Sequence, residues 1–147
     1  MTTLKDPPRN ILAPIDFSEQ SEKAAAAAAA LSLKTGATVH LLHAYVIPVE
    51  SVGLAYTISQ QYVDQFVAES KEQLETLWTK IGAGAARGPV MVVSGDPREV
   101  IIHKAKDLNV ELIVMGTHGR RGISRALIGS VAESVVRTAP CSVLVVR

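Results

Sequence analysis

The stretch Leu112-Ile113-Val114-Met115-Gly116-Thr117-His118-Gly119 decides how this chain folds. Its first half is a continuous apolar run, the pattern of a strand buried on both faces of a parallel sheet. Its second half breaks into glycines, which let backbone N–H groups turn towards a ligand with no side chain in the way. A series of such amides makes an anion-binding concavity. The stretch runs on through Arg120-Arg121-Gly122 to Gly129-Ser130-Val131-Ala132-Glu133. Ser130 and Glu133 have capping-box spacing, so a helix is expected to start there. Free N–H groups and the positive end of the helix dipole at such a start suit a phosphate. The Ser130 hydroxyl has two uses open to it, capping the helix or bonding a phosphate oxygen.

Further apolar runs lie on either side. Asn10-Ile11-Leu12-Ala13-Pro14-Ile15-Asp16 is a short run ending in an acid, and the others are Val39 to Val46, Val90 to Val93 and Val143 to Val146. Four helical patterns separate them. Ser18 can cap the first, with Glu19 in its first turn, seven alanines from Ala24 to Ala30 along it and Gly36 as its stop. Val63, Phe66, Val67, Leu74, Leu77, Trp78 and Ile81 form the apolar stripe of the second. Pro97 opens the third, which is expected to bury Ile101, Ala105 and Leu108. In the fourth, Ile128, Val131, Ala132, Val135, Val136 and Ala139 are expected on one face, and Pro140 ends it.

Strand and helix thus alternate through the chain, which predicts an α/β fold: a five-stranded parallel sheet, doubly wound and Rossmann-like, read as a single domain over residues 1–147. The common order is 3-2-1-4-5. Its winding reverses between the first and fourth strands, and ligands bind in the crevice outside the carboxyl ends there. Asp16 and the glycine loop would both sit at that crevice. Asp16, with acceptor oxygens only, matches ribose hydroxyls, while the loop matches phosphates.

Composition narrows the partners. Of the 147 residues, 48% are hydrophobic and 20% charged, ordinary globular usage. Fifteen basic residues against 14 acidic leave a formal charge of +1, no surplus for a run of nucleic-acid phosphates. The weakly polar stretch Ala24 to Ala30 falls far short of the roughly 20 residues of a membrane span, and Met1 to Pro8 lacks a signal peptide's apolar core. With a single cysteine, Cys141, the expectation is a cytoplasmic protein with no membrane partner. The last strand, apolar and expected at the sheet edge, would cover its backbone by pairing with a second copy in a homodimer.

Plainer readings stand beside these. Asp16 can simply cap the turn before Ser18, Gly116 and Gly119 can make a tight turn, and Gly129 can permit close helix packing. His118 reads as a loop residue, since no recognised motif sets a nucleophile and base around it. His40 and His43, three apart on a strand, point to opposite faces, so no shared metal site is expected. Neither a G-x-x-x-x-G-K-[ST] loop nor a G-x-G-x-x-G after the first strand is present.

Gly116, Gly119, Gly129 and Ser130 fill the pattern G-x2-G-x9-G-[ST], and around it stand Ile113 to Gly119, Gly129 to Glu133, Val143 to Val146 and the opening Ile11 to Glu19. On these residues the chain resembles the universal stress protein family, and within it the subgroup that binds ATP, with an adenine nucleotide alpha hydrolase-like fold. The resemblance implies that Asp16 contacts the ribose and that Ala13 and Pro14 border the nucleoside. It implies that Ala44 offers backbone groups to the adenine edge and that Met115 packs near the base. Gly116, Gly119, Arg120, Gly129, Ser130 and Val131 would surround the phosphates. ATP is the expected cofactor, with ADP or AMP as alternatives and Mg²⁺ arriving on the phosphates. The expected role is a stress-response sensor or switch. The alternatives are slow ATP hydrolysis or self-phosphorylation, with Ser130 and Ser124 as acceptors, and a dimeric interaction module that needs no nucleotide.

Overall fold

Strands β1 (Asn10–Pro14), β2 (Thr38–Tyr45), β3 (Met91–Ser94), β4 (Leu112–Gly116) and β5 (Ser142–Val146) alternate with helices α1 (Glu19–Thr35), α2 (Gln60–Ile81), α3 (Pro97–Asp107) and α4 (Ser130–Thr138) in the computed structural model. Residues 6–46, 60–118 and 128–147 are described. All neighbouring strands pair in parallel, in the order β3-β2-β1-β4-β5 that the alternation predicts.

Two cores flank the sheet because successive strand residues face opposite ways. Ile11, Ala13, Val39, Leu41 and Val114 pack under α1 and α2, whereas Leu12, Leu42, Ile113 and Met115 pack under α3 and α4. The alanine run lets α1 lie close on its side: Ala24, Ala25, Ala28 and Ala29 are buried with no more than 1% exposure. Its ends are set as the sequence indicates. Ser18 Oγ accepts the Ser21 N–H, and Gly36 closes the helix at φ 75° in the left-handed region, where glycine meets no Cβ penalty. Near that end the buried Ser32 hydroxyl donates to the Ala37 carbonyl at 2.6 Å and accepts the Ala86 N–H at 3.0 Å, joining the helix to the chain that leads into β3.

The ladders on the two sides of β1 differ. β1 pairs with β2 along its whole length, from Asn10 against Thr38 to Pro14 against Leu42, and Ile15 N–H still donates to the Leu42 carbonyl at 2.7 Å. Towards β4 only Ile11 and Leu12 are in register, with Leu112 and Ile113. In a parallel strand the backbone groups of alternate residues point to alternate neighbours. Arg9 and Ile15 bond towards β2, and Asn10 bonds towards β4 through the Glu111 N–H. Pro14 therefore faces β4, where it has no amide hydrogen to give. The first and fourth strands part there, and the crevice opens.

Some boundaries differ from expectation. β1 ends at Pro14, placing Asp16 in the turn beyond it. Leu108 is the half-buried C-cap of α3, not part of its buried stripe. Ile128 and Val136 are 51% and 49% exposed, so the buried face of α4 is narrower than its apolar pattern suggests.

His40 and His43 do point to opposite faces of β2. His43 lies beside the tilted rings of Phe17 and Phe66 under α2, while His40 Nε2 lies 3.2 Å from Asn10 Oδ1. Burial of the His40 ring disfavours its charged form and lowers its pKa from the usual value. The unfolded chain then binds more protons than the folded one as pH falls through about 6.5, so stability is full above that value and declines below it until the lowered pKa is passed. Urea midpoints are expected to fall as pH drops from 7.5 to 5.5, and His40→Gln should flatten that decline. A variant as steep as the parent would contradict the assignment.

Candidate functional site

The carboxyl ends of β1 and β4 are joined through the first turn of α1. A Cβ added to Gly116 would stand 2.9 Å from the carbonyl carbon and Cβ of Gln20, so only glycine lets the end of β4 lie this close to α1. Gln20 belongs to the same turn that Asp16 organises. Asp16 Oδ1 accepts the Ser18 N–H at 2.9 Å, and the Asp16 N–H donates to Ser21 Oγ at 3.3 Å. Asp16 and Gly116 thus meet at one place. The plain capping role of Asp16 is present, but it occupies one carboxylate oxygen; Oδ2 has no partner among the described residues.

Phe17 holds this turn in an uncommon conformation. Its φ is 62°, in the left-handed region that non-glycine residues occupy at a cost of about 1–2 kcal/mol. Its ring lies 4.7 Å from that of His43, whose Nδ1 is 2.8 Å from the Ile15 carbonyl. A carbonyl only accepts, so Nδ1 carries the hydrogen. Sequence reading missed both residues in this role, because an aromatic in a turn carries no local sign of positive φ.

The second half of the site is the start of α4. Its N-cap is Gly129, in extended conformation with no side-chain hydrogen bond, and Ser130 is the first helical residue. The capping-box expectation for Ser130 is corrected accordingly. Glu133 does not reach back either, since its Oε1 accepts from Arg137 Nη2 at 2.8 Å. Ser130 is exposed, with no capping bond. Among the described residues, the first-turn amides of α4 thus lack the side-chain acceptor that usually serves them. Gly129 is held tightly: its N–H donates to the Thr117 carbonyl at 2.6 Å, and a Cβ there would stand 2.9 Å from that oxygen. Close packing accounts for this glycine, and it fastens the start of α4 to the end of β4.

The remaining expected residues divide. Met115 and Ala44 share the core under α3 and α4, Met115 buried and Ala44 partly so, and Val131 packs against it from α4. Pro14 follows Leu12 at a spacing of two and faces the same side. Ala13 points the other way and is fully buried beneath α1, so only its backbone is available to a ligand. Gly119 and Arg120 lie outside the described residues.

A groove of about 610 Å³ opens elsewhere, between α1 and α2, with Phe17, Glu22, Glu69, Glu72 and Lys80 among its walls. Three carboxylates against one ammonium make it unsuited to phosphates. The α1 end of the crevice is likewise already acidic, with Glu19 and Glu22 in its first turn. Lys23 at 2.8 Å holds the Glu19 carboxyl below its usual pKa through a hydrogen bond and its charge. An anion is better placed at α4.

The universal stress protein family's sequence model matches residues 8–147. The chain belongs to that family. Universal stress protein YxiE of Bacillus subtilis is 30% identical over 145 residues, covering 93% of this chain and 97% of its own. Among solved structures, the hypothetical protein MJ0577 is 31% identical with a TM-score of 0.79, covering 94% of both chains. A universal stress protein from Archaeoglobus fulgidus, solved in complex with dAMP, covers 94% of this chain and 97% of its own. It shares the fold at a TM-score of 0.64 and 20% identity. Among the described residues of this universal stress protein, no group of three His, Cys, Asp or Glu could hold a metal, and no helix is long and apolar enough to cross a membrane.

Proposed function

We propose that this universal stress protein binds an adenine nucleotide, ATP first, in the crevice between β1 and β4, and acts as a nucleotide-dependent sensor or switch. The observation that carries the reading is the helix start at Gly129-Ser130, where among the described residues no side chain caps the helix and the Ser130 hydroxyl makes no hydrogen bond. It is tied to the end of β4, which meets the Asp16 turn. Backbone amides and the dipole there favour phosphate, Ser130 Oγ can donate to a phosphate oxygen, and Asp16 Oδ2 can accept from a ribose hydroxyl. Pro14, Ala44 and Met115 would border the base. The Archaeoglobus fulgidus protein holding dAMP is consistent with this, since an adenine nucleotide can be carried on the same fold. Mg²⁺ would enter on the phosphates. A nucleotide spanning the crevice would touch helices of both layers, α1 on one side and α4 on the other. Occupancy can thereby bias a partner-facing surface by its preference for one arrangement.

Isothermal titration and thermal shift with ATP, ADP and AMP in the presence of Mg²⁺ test this. Heat and a rise in melting temperature that grows with ligand concentration are expected; no response at millimolar nucleotide would overturn it. Ser130→Ala should weaken ATP binding roughly tenfold through loss of one hydrogen bond to a charged group. Because that hydroxyl caps nothing, the stability of the free protein should stay within about 0.5 kcal/mol.

We also propose a homodimer through β5. That strand lies at the sheet edge, and Leu144 on it and Val136 on the adjoining α4 are 41% and 49% exposed. Pairing with a second copy would cover the open backbone groups of this edge. Light scattering at tens of micromolar should give twice the chain mass, and the mass of one chain would contradict the pairing.

A further inference from the structure

The groove of about 610 Å³ between α1 and α2 combines apolar surface with an acidic rim. Leu77, buried, and Phe17, half-buried, supply the apolar part, and Glu22, Glu69 and Glu72 supply carboxylates. The α2 residues on its wall recur at helical spacing from Glu69 to Lys80, so the groove follows about 16 Å of that helix. Its charges are unbalanced. Lys80 Nζ stands 3.7 Å from Glu22 Oε2 and is thereby engaged. Glu72 has a glutamate three residues away on each side, Glu69 and Glu75. Arg87 Nη1 neutralises Glu75 at 2.9 Å. Among the described residues Glu69 and Glu72 form no ion pair, and the Glu69 carboxylate accepts only from the Gln65 amide at 2.8 Å. Like charges this close on a helix repel, and a cation in the groove would relieve them.

We propose that this groove docks an arginine-bearing segment of a partner protein. The segment is a short amphipathic helix that lays its apolar side on Phe17 and Leu77 and turns its guanidinium groups towards Glu69 and Glu72. The groove's length and its mixed lining match the mode in which a helix settles between two others. Arginine suits it better than lysine, because a planar guanidinium gives a carboxylate two parallel hydrogen bonds and packs on an aromatic ring. Phe17 brings that ring to the groove from a backbone at φ 62°. A glycine would take this conformation without the cost and would leave no ring there. The docking surface goes beyond the nucleotide reading and does not depend on it.

Fluorescence anisotropy tests it on the full chain without nucleotide, with a labelled peptide of about 12 residues built from Arg, Leu and Ala in amphipathic order to match the groove's length. The peptide should bind, and binding should weaken as salt rises from about 0.05 to about 0.5 M. The same peptide with Glu for Arg should not bind, and with Lys for Arg it should bind several-fold more weakly. Glu69→Lys combined with Glu72→Lys should cost roughly tenfold or more in affinity. Glu99→Lys combined with Asp107→Lys on α3 makes the same change in net charge and should keep the parent's affinity. All four positions are exposed, so both variants should fold. No binding of the Arg peptide by the parent would overturn the docking site, and so would equal affinities in the two double variants. Equal affinity for the Arg and Lys peptides would overturn the choice of arginine.

Discussion

Pro14 lacks an amide hydrogen, and the functional end of the sheet follows from where that missing donor falls. On the β2 side the ladder continues through Pro14 to Ile15, because those contacts do not use the proline nitrogen. On the β4 side the register covers two residue pairs and stops. Sheet pairing is strong enough that strands part only for a reason, and here the reason is covalent. With β1 and β4 separated at their carboxyl ends, the turns that follow them face a common space. A doubly wound sheet places its ligand crevice at this point by topology; the proline opens it.

The glycines beside the crevice act on packing. Gly116 admits the backbone of Gln20, and Gly129 admits the carbonyl of Thr117. Each contact brings a helix start to the end of β4. The two helix starts differ in electrostatics. Asp16 and Ser18 cap α1 and acidic residues fill its first turn, so its positive end is already compensated. α4 starts at a glycine with no side-chain acceptor, and Glu133 in its first turn is paired with Arg137. In the proposed reading this asymmetry would orient a nucleotide, with sugar towards the carboxylate and phosphates towards α4. The strained Phe17 and the ring of His43 hold the carboxylate's turn in place between the two.

Much of this was readable from residue order because it rests on local rules. Five apolar runs separated by helical patterns leave few topologies, and Ser18 and Gly36 bound α1 through chemistry confined to a few neighbouring residues. The G-x2-G-x9-G-[ST] spacing and the Asp16 run pointed to the same end of the sheet, and the folded chain brings Asp16, Gly116 and Gly129-Ser130 to it. What the sequence concealed depends on contacts distant along the chain. Gly129 caps α4 by backbone conformation alone, which leaves no side-chain signature, so the serine beside it looked like the cap. The alternation of β1 turns the Ala13 side chain under α1, which leaves its backbone to border a ligand.

The central claim is spatial: one ligand, held by the Asp16 turn and the start of α4 together. A crystal structure of the protein saturated with ATP and Mg²⁺ tests it most directly. The account predicts a ribose hydroxyl within hydrogen-bonding distance of Asp16 and phosphate oxygens at the Ser130 amide and hydroxyl. ATP lodged in the groove between α1 and α2, or bound with its phosphates turned away from α4, would contradict it.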